Sequence, residues 1–183
     1  MARSNHEELF DQGKEILDFA VSGGGGTFRG DSLEAKKYYI QAKEYFEKAC
    51  ELNYAKGCVS LGGLYEGENL VIGENLRLKE RLKKAIQYYS KACDLNDEFG
   101  CSKLGAMQYI GKGVVKNEKQ AAEKFEKACK LGKQEACEMV TYKGLCELGH
   151  KEACEIFSLE VLCESSDQKA CSMSYDKKKA LGF

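Results

Sequence analysis

Proline and tryptophan are absent from this 183-residue chain, and histidine occurs only as His6 and His150. The lack of proline removes the strongest helix breaker and is typical of a chain built mostly of helix. Two histidines cannot form a His-rich ligand cluster, so we expect no metal and no cofactor. No apolar run reaches the ~18 residues of a membrane helix. The net charge of −1 lacks the basic excess typical of nucleic-acid binders, so no nucleic-acid partner is expected.

Ten cysteines form five pairs that share one C-x7-C spacing. The pairs are Cys50–Cys58, Cys93–Cys101, Cys129–Cys137, Cys146–Cys154 and Cys163–Cys171. One spacing used five times indicates that a small structural unit recurs and that each copy carries its own cross-link. The same cysteines could supply zinc ligands, but no C-x2-C knuckle accompanies them, which favours disulfides.

The cysteines and the N-terminus point to different compartments. Stable disulfides belong to oxidising compartments, whereas Met1–Leu9 has no apolar segment of the kind a signal peptide carries. Either a leader has been removed, or the protein is cytosolic and its thiols are reduced. Five identical pairs favour the first explanation, so we expect a secreted or periplasmic protein whose leader is absent from this chain.

Three segments that end just after the first cysteine of a pair read alike. They span residues 43–52, 86–95 and 122–131. Ala42, Tyr45, Phe46 and Ala49 follow the spacing of an amphipathic helix. The aromatic residue four positions before the cysteine recurs as Phe46, Tyr89 and Phe125. Each segment is therefore predicted to be the first helix of a repeat.

A second helix is predicted after each turn, where Gly62 and Gly105 would allow a neighbouring helix to approach closely. Each cysteine pair then straddles the turn of an antiparallel αα-hairpin. The period from Cys93 to Cys129 is 36 residues, within the range of helical-repeat solenoids. The preceding period is longer, which we attribute to a connection over residues 70–82.

The cysteine rhythm changes after Cys137, where spacings of nine and eight residues alternate. Nine residues at 100° each place the two cysteines of one helix on opposite faces. Residues 134–183 are therefore predicted to be short single helices joined by disulfides. Residues 7–21 are predicted to be a capping helix and 33–139 the full αα repeats, within a single array over 1–183. The predicted fold is all-α, with about nine helices in a right-handed, disulfide-stapled α-solenoid.

The segments 92–101 and 113–129 resemble the Helicobacter cysteine-rich proteins, which consist of Sel-one-like repeats related to tetratricopeptide repeats. The resemblance covers residues 33–139, weakens from Met139, and excludes residues 22–32 and 70–82. It implies an α-solenoid, export and structural disulfides. It also implies penicillin binding and weak β-lactamase activity, which some family members carry.

The β-lactamase interpretation needs a serine beside a base. Ser166-Asp-Gln-Lys169 and Ser174-Tyr-Asp-Lys177 match the Ser-x-x-Lys element of serine β-lactamases. The Ser-Asp-Asn and Lys-Thr-Gly elements are missing from the chain. The catalytic residues therefore remain unassigned, and whether the chain is an enzyme rests on the resemblance alone. Penicillin would otherwise act as a mimic of a muramyl-peptide ligand in a solenoid groove.

The glycine-rich segment 23–32 contains Arg29, Gly30, Asp31 and Ser32 in sequence. Arg-Gly-Asp resembles the integrin-recognition tripeptide, and a mobile glycine-rich loop would present it to a receptor. Asp31 would bind a receptor-held cation and Arg29 an acidic pocket. The alternative is structural, with Gly30 making a turn and Asp31 or Ser32 capping the helix that follows.

The tyrosine-rich first two thirds of the chain are expected to serve mostly the repeat core, with some residues on a concave face. These tyrosines are Tyr38, Tyr39, Tyr45, Tyr54, Tyr65, Tyr88, Tyr89 and Tyr109. We therefore predict a secreted, monomeric repeat protein that binds a peptide, a peptidoglycan-like fragment or a host protein on its concave face. Penicillin binding, β-lactam hydrolysis and integrin binding remain alternatives.

Overall fold

Helices make up 78% of the computed structural model, which describes residues 2–67 and 76–183. Ten helices and no strand occur within those residues. The helices are α1 Asn5–Val21, α2 Gly23–Gly26, α3 Leu33–Glu51, α4 Ala55–Glu66, α5 Leu78–Asp94, α6 Glu98–Ile110, α7 Glu118–Lys130, α8 Gln134–Glu147, α9 Lys151–Glu164 and α10 Gln168–Ala180. The all-α prediction is confirmed, and the helix beyond the expected nine is the four-residue α2.

The chain divides into two compact units, Met1–Leu95 and Asn96–Phe183, where the sequence predicted one array. The first unit contains α1–α5 and the second contains α6–α10.

In the first unit, α1 packs on α3, and α3, α4 and α5 pack on one another in chain order. The Glu7 carboxylate accepts from the Ser4 backbone N–H at 3.4 Å and fixes the start of α1. Helix α1 begins two residues before the predicted capping helix and ends at the predicted residue. Helix α5 begins at Leu78, so the connection predicted over residues 70–82 is shorter than expected. The 70–75 part of that connection lies outside the described residues.

One contact recurs at three glycines, each of which faces an aromatic ring of a packed neighbouring helix. A Cβ added at Gly13 would lie 2.9 Å from the Phe46 ring, and one at Gly105 would lie 2.9 Å from the Phe125 ring. At Gly62 the distance to the Tyr89 ring would be 2.4 Å. Phe46, Tyr89 and Phe125 therefore lie directly on the backbone of α1, α4 and α6, and the close approach predicted at Gly62 and Gly105 is present.

In the second unit, side-chain caps define three of the five helix starts: Asp97 for α6, Asn117 for α7 and Asp167 for α10. Helix α6 ends at Ile110 and is capped by Gly111, which adopts the left-handed conformation with φ 74°. The core contains Phe125, Met139, Tyr142, Ile156, Phe157 and Val161. Helices α8, α9 and α10 have 14, 14 and 13 residues, as long as α6 and α7. The expectation of shorter helices over 134–183 was wrong, because this core continues along α8 and α9 and supports full-length helices.

All ten cysteines lie in the described residues and are disulfide-bonded. Four bridges join predicted partners, whose Cα atoms lie 4.6–4.7 Å apart: Cys50–Cys58, Cys129–Cys137, Cys146–Cys154 and Cys163–Cys171. Cys93 and Cys101 are bonded as well. Helices α8 and α9 each carry two bonded cysteines, one joined to the preceding helix and one to the following helix. This is the zig-zag that the nine-residue spacing predicted.

Candidate protein-binding surface

The glycine run after α1 forms a left-handed turn. Gly23, Gly24, Gly25 and Gly26 all have φ between 60° and 92°, a region that costs other residues about 1–2 kcal/mol each. The turn closes when the Phe28 backbone N–H donates to the Gly23 carbonyl at 3.0 Å. A Cβ at Gly24 would lie 2.4 Å from the Phe28 ring. The segment predicted to be a mobile loop is thus a defined turn wrapped against this ring, because glycine makes the left-handed backbone accessible.

Three aromatic rings form a cluster beside this turn, which we call the aromatic patch: Phe19, Phe28 and Tyr38. Phe28 stacks on Tyr38 with ring centroids 5.7 Å apart and planes within 8°. Phe19 meets both rings edge-on, at 5.8 and 4.9 Å. Phe19 remains 43% exposed and the other two are half-buried. Solvent therefore reaches a preformed set of rings on the first unit.

The Arg29–Asp31 turn follows Phe28 directly. Arg29 and Asp31 form an ion pair at 2.9 Å, with side chains 85% and 62% exposed. The Gly30 carbonyl accepts a hydrogen bond from the Tyr39 hydroxyl at 2.9 Å. Burial, followed by the Asp31 carboxylate, raises the pKa of Tyr39, which favours the protonated donor. The backbone of the tripeptide is anchored while its two charged ends lie in solvent.

The cap of α3 is Ser32 and not Asp31. The Ser32 hydroxyl accepts from the Ala35 backbone N–H at 3.2 Å. The two structural roles left open by the sequence are therefore filled by Ser32 and by the Gly30 carbonyl. Asp31 pairs with Arg29 and does not cap α3, so only one exposed ion pair would have to break for its carboxylate to contact another molecule.

The first Ser-x-x-Lys serine is not placed beside its lysine. Ser166 has φ 73° in the turn after α9, and its hydroxyl accepts from Lys103 at 3.4 Å. The same Lys103 amine donates to the Glu164 carbonyl at 2.7 Å. The sequence element suggested Lys169, the last residue of the Ser-x-x-Lys match, as the base. The lysine that contacts this serine comes from α6 and is engaged with a helix end.

The second such serine is buried. Ser174 is 1% exposed and its hydroxyl bonds the Glu160 carboxylate. Lys177, the expected base, pairs with Glu155 instead. A buried hydroxyl held by a carboxylate has no access to a β-lactam carbonyl. Neither serine therefore pairs with the lysine of its own Ser-x-x-Lys element, Lys169 for Ser166 and Lys177 for Ser174.

Three lysines that the sequence reasoning missed converge on the C-terminal end of α9. Lys103 and Lys112 donate to the Glu164 and Ser165 carbonyls, at 2.7 and 3.1 Å. Lys133 pairs with the Glu164 carboxylate at 2.7 Å. Cations at a helix C-terminus satisfy its last carbonyls and oppose its dipole. This lysine cluster holds α9 within the second unit, and its residues are too far apart in sequence for a local pattern to reveal.

A shallow groove of about 750 Å³ lies between α9 and α10. Ser158, Leu159, Met173 and Lys177 contribute to its walls, and Cys154 also lines it.

In residues 2–67 and 76–183, no group of three or more His, Cys, Asp and Glu side chains is placed to hold a metal ion. In the same residues, no helix combines the length and the apolar surface needed to cross a membrane.

Comparison with known proteins identifies the repeat. The model of the Sel1 repeat matches residues 22–54, 80–97 and 99–133. The first match begins at residue 22, so the glycine turn that the resemblance set aside belongs to the first repeat. Residues 55–79 and those after 133 lie outside the match, which therefore stops before Met139, where the resemblance was expected to weaken. No relative was found among curated proteins.

Three solved structures are similar to this chain. Helicobacter pylori cysteine rich protein B is 38% identical, with 73% of this chain and 96% of that protein covered and a TM-score of 0.47. A Sel1 repeat protein from Oxalobacter formigenes is 18% identical, with coverages of 97% and 84% and a TM-score of 0.52. The c5321 protein, a protective antigen present in uropathogenic Escherichia coli strains, displays an SLR fold. It is 19% identical, with coverages of 93% and 46% and a TM-score of 0.50.

The disulfides and the Sel1 repeats fit an extracellular or periplasmic protein. The predicted disulfide-stapled α-solenoid class is confirmed by the Sel1 repeats and by the disulfides between adjacent helices. With 38% identity to Helicobacter pylori cysteine rich protein B over nearly all of that protein, the chain belongs to the cysteine-rich family of Sel1-repeat proteins.

Proposed function

We propose that this protein binds a partner protein through the aromatic patch and the adjoining Arg29–Asp31 turn. The observation that carries the proposal is the juxtaposition of three accessible rings with two exposed, opposite charges on an anchored backbone. Aromatic side chains and arginine are the residue types that dominate binding energy at protein interfaces. Phe28, Tyr38 and the turn lie within the first Sel1 match, residues 22–54, so the repeat itself is the scaffold of this surface.

The energetic terms favour binding at this site. An exposed ion pair such as Arg29–Asp31 stabilises a protein by about 0–1 kcal/mol, so a partner can separate the two side chains at small cost. The Tyr39–Gly30 hydrogen bond and the Ser32 cap already order the backbone. A preordered turn loses less conformational entropy on binding than a flexible loop does.

The sequence of the turn suggests the chemistry of the partner. An aspartate and an arginine separated by one glycine match a receptor with a bound divalent cation and an adjacent acidic pocket. The Asp31 carboxylate would complete the coordination of the cation, and Arg29 would enter the acidic pocket. Integrins are the receptor class that this tripeptide resembles, and we propose them as the first partner to test.

The test is adhesion of integrin-expressing cells to the immobilised protein in the presence of Mg²⁺. Asp31→Glu and Asp31→Ala are expected to reduce adhesion by about tenfold or more, because the first moves the carboxylate by one methylene and the second removes it. Loss of one partner of a buried charge pair costs about 2–5 kcal/mol. Asp11→Ala is the matched control, since Asp11 forms another exposed ion pair of the same unit, with Arg3 at 2.5 Å.

Adhesion that survives both Asp31 variants would reject the integrin assignment. Phe19→Ala then tests the wider proposal, because it removes the most accessible ring of the aromatic patch and leaves the turn intact. Binding of a serum or cell-surface protein that is unaffected by Phe19→Ala and by Asp31→Ala would reject this surface altogether.

A further inference from the structure

The five disulfides differ in their access to solvent. Cys50 and Cys58 are 2% and 0% exposed, and Cys93 and Cys101 are equally buried. The six bonded cysteines of the remaining bridges, on α7–α10, are all partly exposed. Thiol–disulfide exchange requires an incoming thiolate to reach a sulfur atom in line with the S–S bond. An incoming thiolate can therefore approach the bridges on α7–α10 more easily than the two buried bridges.

One of the accessible bridges opens onto a groove. Cys154, bonded to Cys146, lines the groove between α9 and α10. The opposite wall carries Met173, which is 49% exposed, and Leu159 adds further apolar surface on the α9 side. A protein that performs exchange needs a surface against which its reactive cysteine can lie, and a largely apolar groove lined by Cys154 provides one.

We propose that the Cys146–Cys154 bridge is a thiol–disulfide exchange site for a dithiol protein. The partner's thiolate attacks the Cys154 sulfur, the Cys146–Cys154 bond breaks, and Cys146 leaves as a thiolate that takes up a proton. The partner's second thiolate then attacks the sulfur of the partner's first cysteine in the mixed disulfide, and Cys154 is released as a thiolate that takes up a proton. The partner loses two electrons and becomes a disulfide, while this bridge gains them and becomes two thiols. The reverse sequence restores the bridge.

The test exposes the folded protein to reduced thioredoxin, quenches aliquots with iodoacetamide, and locates the labelled cysteines by peptide mass spectrometry. Labelling of Cys146 and Cys154 is expected to be at least about tenfold faster than labelling of Cys50 and Cys58, because exchange follows sulfur access. Equal labelling of the buried and accessible bridges would overturn the proposal.

A groove variant separates docking from simple exposure. Met173→Trp fills the groove and is expected to slow labelling of Cys146 and Cys154 about fivefold while leaving Cys163 and Cys171 unchanged. Tyr175→Trp, which adds bulk to α10 outside the groove lining, is the matched control and is expected to change neither rate. Met173→Trp slowing both bridges alike, or slowing neither, would overturn a site in the groove, with circular dichroism confirming that each variant is folded.

Discussion

The ring of Tyr89 lies directly on the backbone of Gly62, and its hydroxyl donates a 2.6 Å hydrogen bond to the buried carboxylate of Glu66. Gly62 and Glu66 are four residues apart on α4, so one tyrosine of α5 contacts two successive turns of the preceding helix. The ring supplies close packing and the hydroxyl satisfies a charged group that burial would otherwise penalise. The equivalent ring of α7, Phe125, has the packing role without the hydroxyl.

Gly62→Ala is expected to destabilise the protein by about 1–3 kcal/mol, because the new methyl group would lie 2.4 Å from the Tyr89 ring. Helix propensity opposes this loss by about 1 kcal/mol, since alanine is the better helix former, but the steric term is larger. The adjacent Gly63 provides the control, because a Cβ there would meet its nearest atom, the Tyr89 hydroxyl oxygen, at 3.9 Å.

Urea unfolding of the two variants measures this difference. Gly63→Ala is expected to be neutral or to stabilise by about 0.5–1 kcal/mol, since it gains helix propensity without a clash. If Gly62→Ala proves as stable as Gly63→Ala, Tyr89 moves aside easily and its close approach to Gly62 does not constrain the packing of α4 on α5.

The repeat was predictable because its signals are local and recur. The aromatic residue four positions before a cysteine, the glycine that receives it and the C-x7-C pair each lie within one or two helices. Phe46, Tyr89 and Phe125 occupy equivalent positions for that reason. The nine-residue spacing from Cys137 to Cys146 also fixes opposite faces of a helix, which gives the zig-zag of bonds directly.

The remaining features depend on backbone conformation or on contacts distant in sequence. Four consecutive glycines indicate a backbone with wide conformational freedom. The sequence does not reveal that contacts with Phe28 will fix them in a left-handed turn. Lys103 reaches Glu164 across 61 positions, so no local pattern marks the pair. The Ser-x-x-Lys matches misled because the actual neighbours of Ser166 and Ser174 come from other helices. The burial of Lys133 could not be predicted either, because nothing in the sequence distinguishes it from the many exposed lysines.

Lys133→Met is expected to destabilise the second unit by about 2–4 kcal/mol, because it leaves the Glu164 carboxylate buried without its ion pair. The two side chains are 8% and 14% exposed, and the Lys133 amine also lies 5.2 Å from the Phe99 ring centroid. Urea unfolding of the variant and the parent at pH 7 measures the loss. The methionine side chain keeps most of the packing volume of lysine, so the charge is the main change.

The control for this ion pair is Lys116→Met. Lys116 and Glu118 form a pair at 3.1 Å whose side chains are more than half exposed, and such pairs contribute about 0–1 kcal/mol. A loss at Lys133 no larger than the loss at Lys116 would mean that water reaches Glu164 and that the lysine cluster does not stabilise the end of α9.

Removing a buried disulfide is expected to cost more than removing an accessible one. Each bridge closes a ring of the same length, which contributes about 2–3 kcal/mol through the unfolded state. Cys50 and Cys58 are also fully packed, so Cys50→Ala with Cys58→Ala leaves a cavity that adds about 1 kcal/mol. Cys163→Ala with Cys171→Ala is the matched double variant. Thermal unfolding under non-reducing conditions compares the two, and a larger loss at Cys163–Cys171 would contradict the argument from burial.

Stability is expected to fall as the pH rises above about 10, the ordinary pKa range of tyrosine and lysine. Burial raises the pKa of Tyr109 and of Tyr142. Burial opposes the charged form of Lys178, but its contacts with Glu160 and Glu138 outweigh that effect and raise its pKa. All three groups hold their protons more tightly when folded, so the unfolded state releases protons first. Their stabilisation is complete below the unfolded pKa and is lost as the pH passes through the folded pKa.

Urea midpoints between pH 8 and pH 11 test this dependence. Lys178→Met is expected to be less stable than the parent at pH 8 but to lose less stability between pH 9.5 and pH 11, since the variant has no ammonium to titrate. Lys179→Met removes an exposed neighbouring charge and is expected to follow the parent curve. If the three proteins lose the same stability over this range, the ion pairs of Lys178 with Glu160 and Glu138 do not cause the alkaline loss.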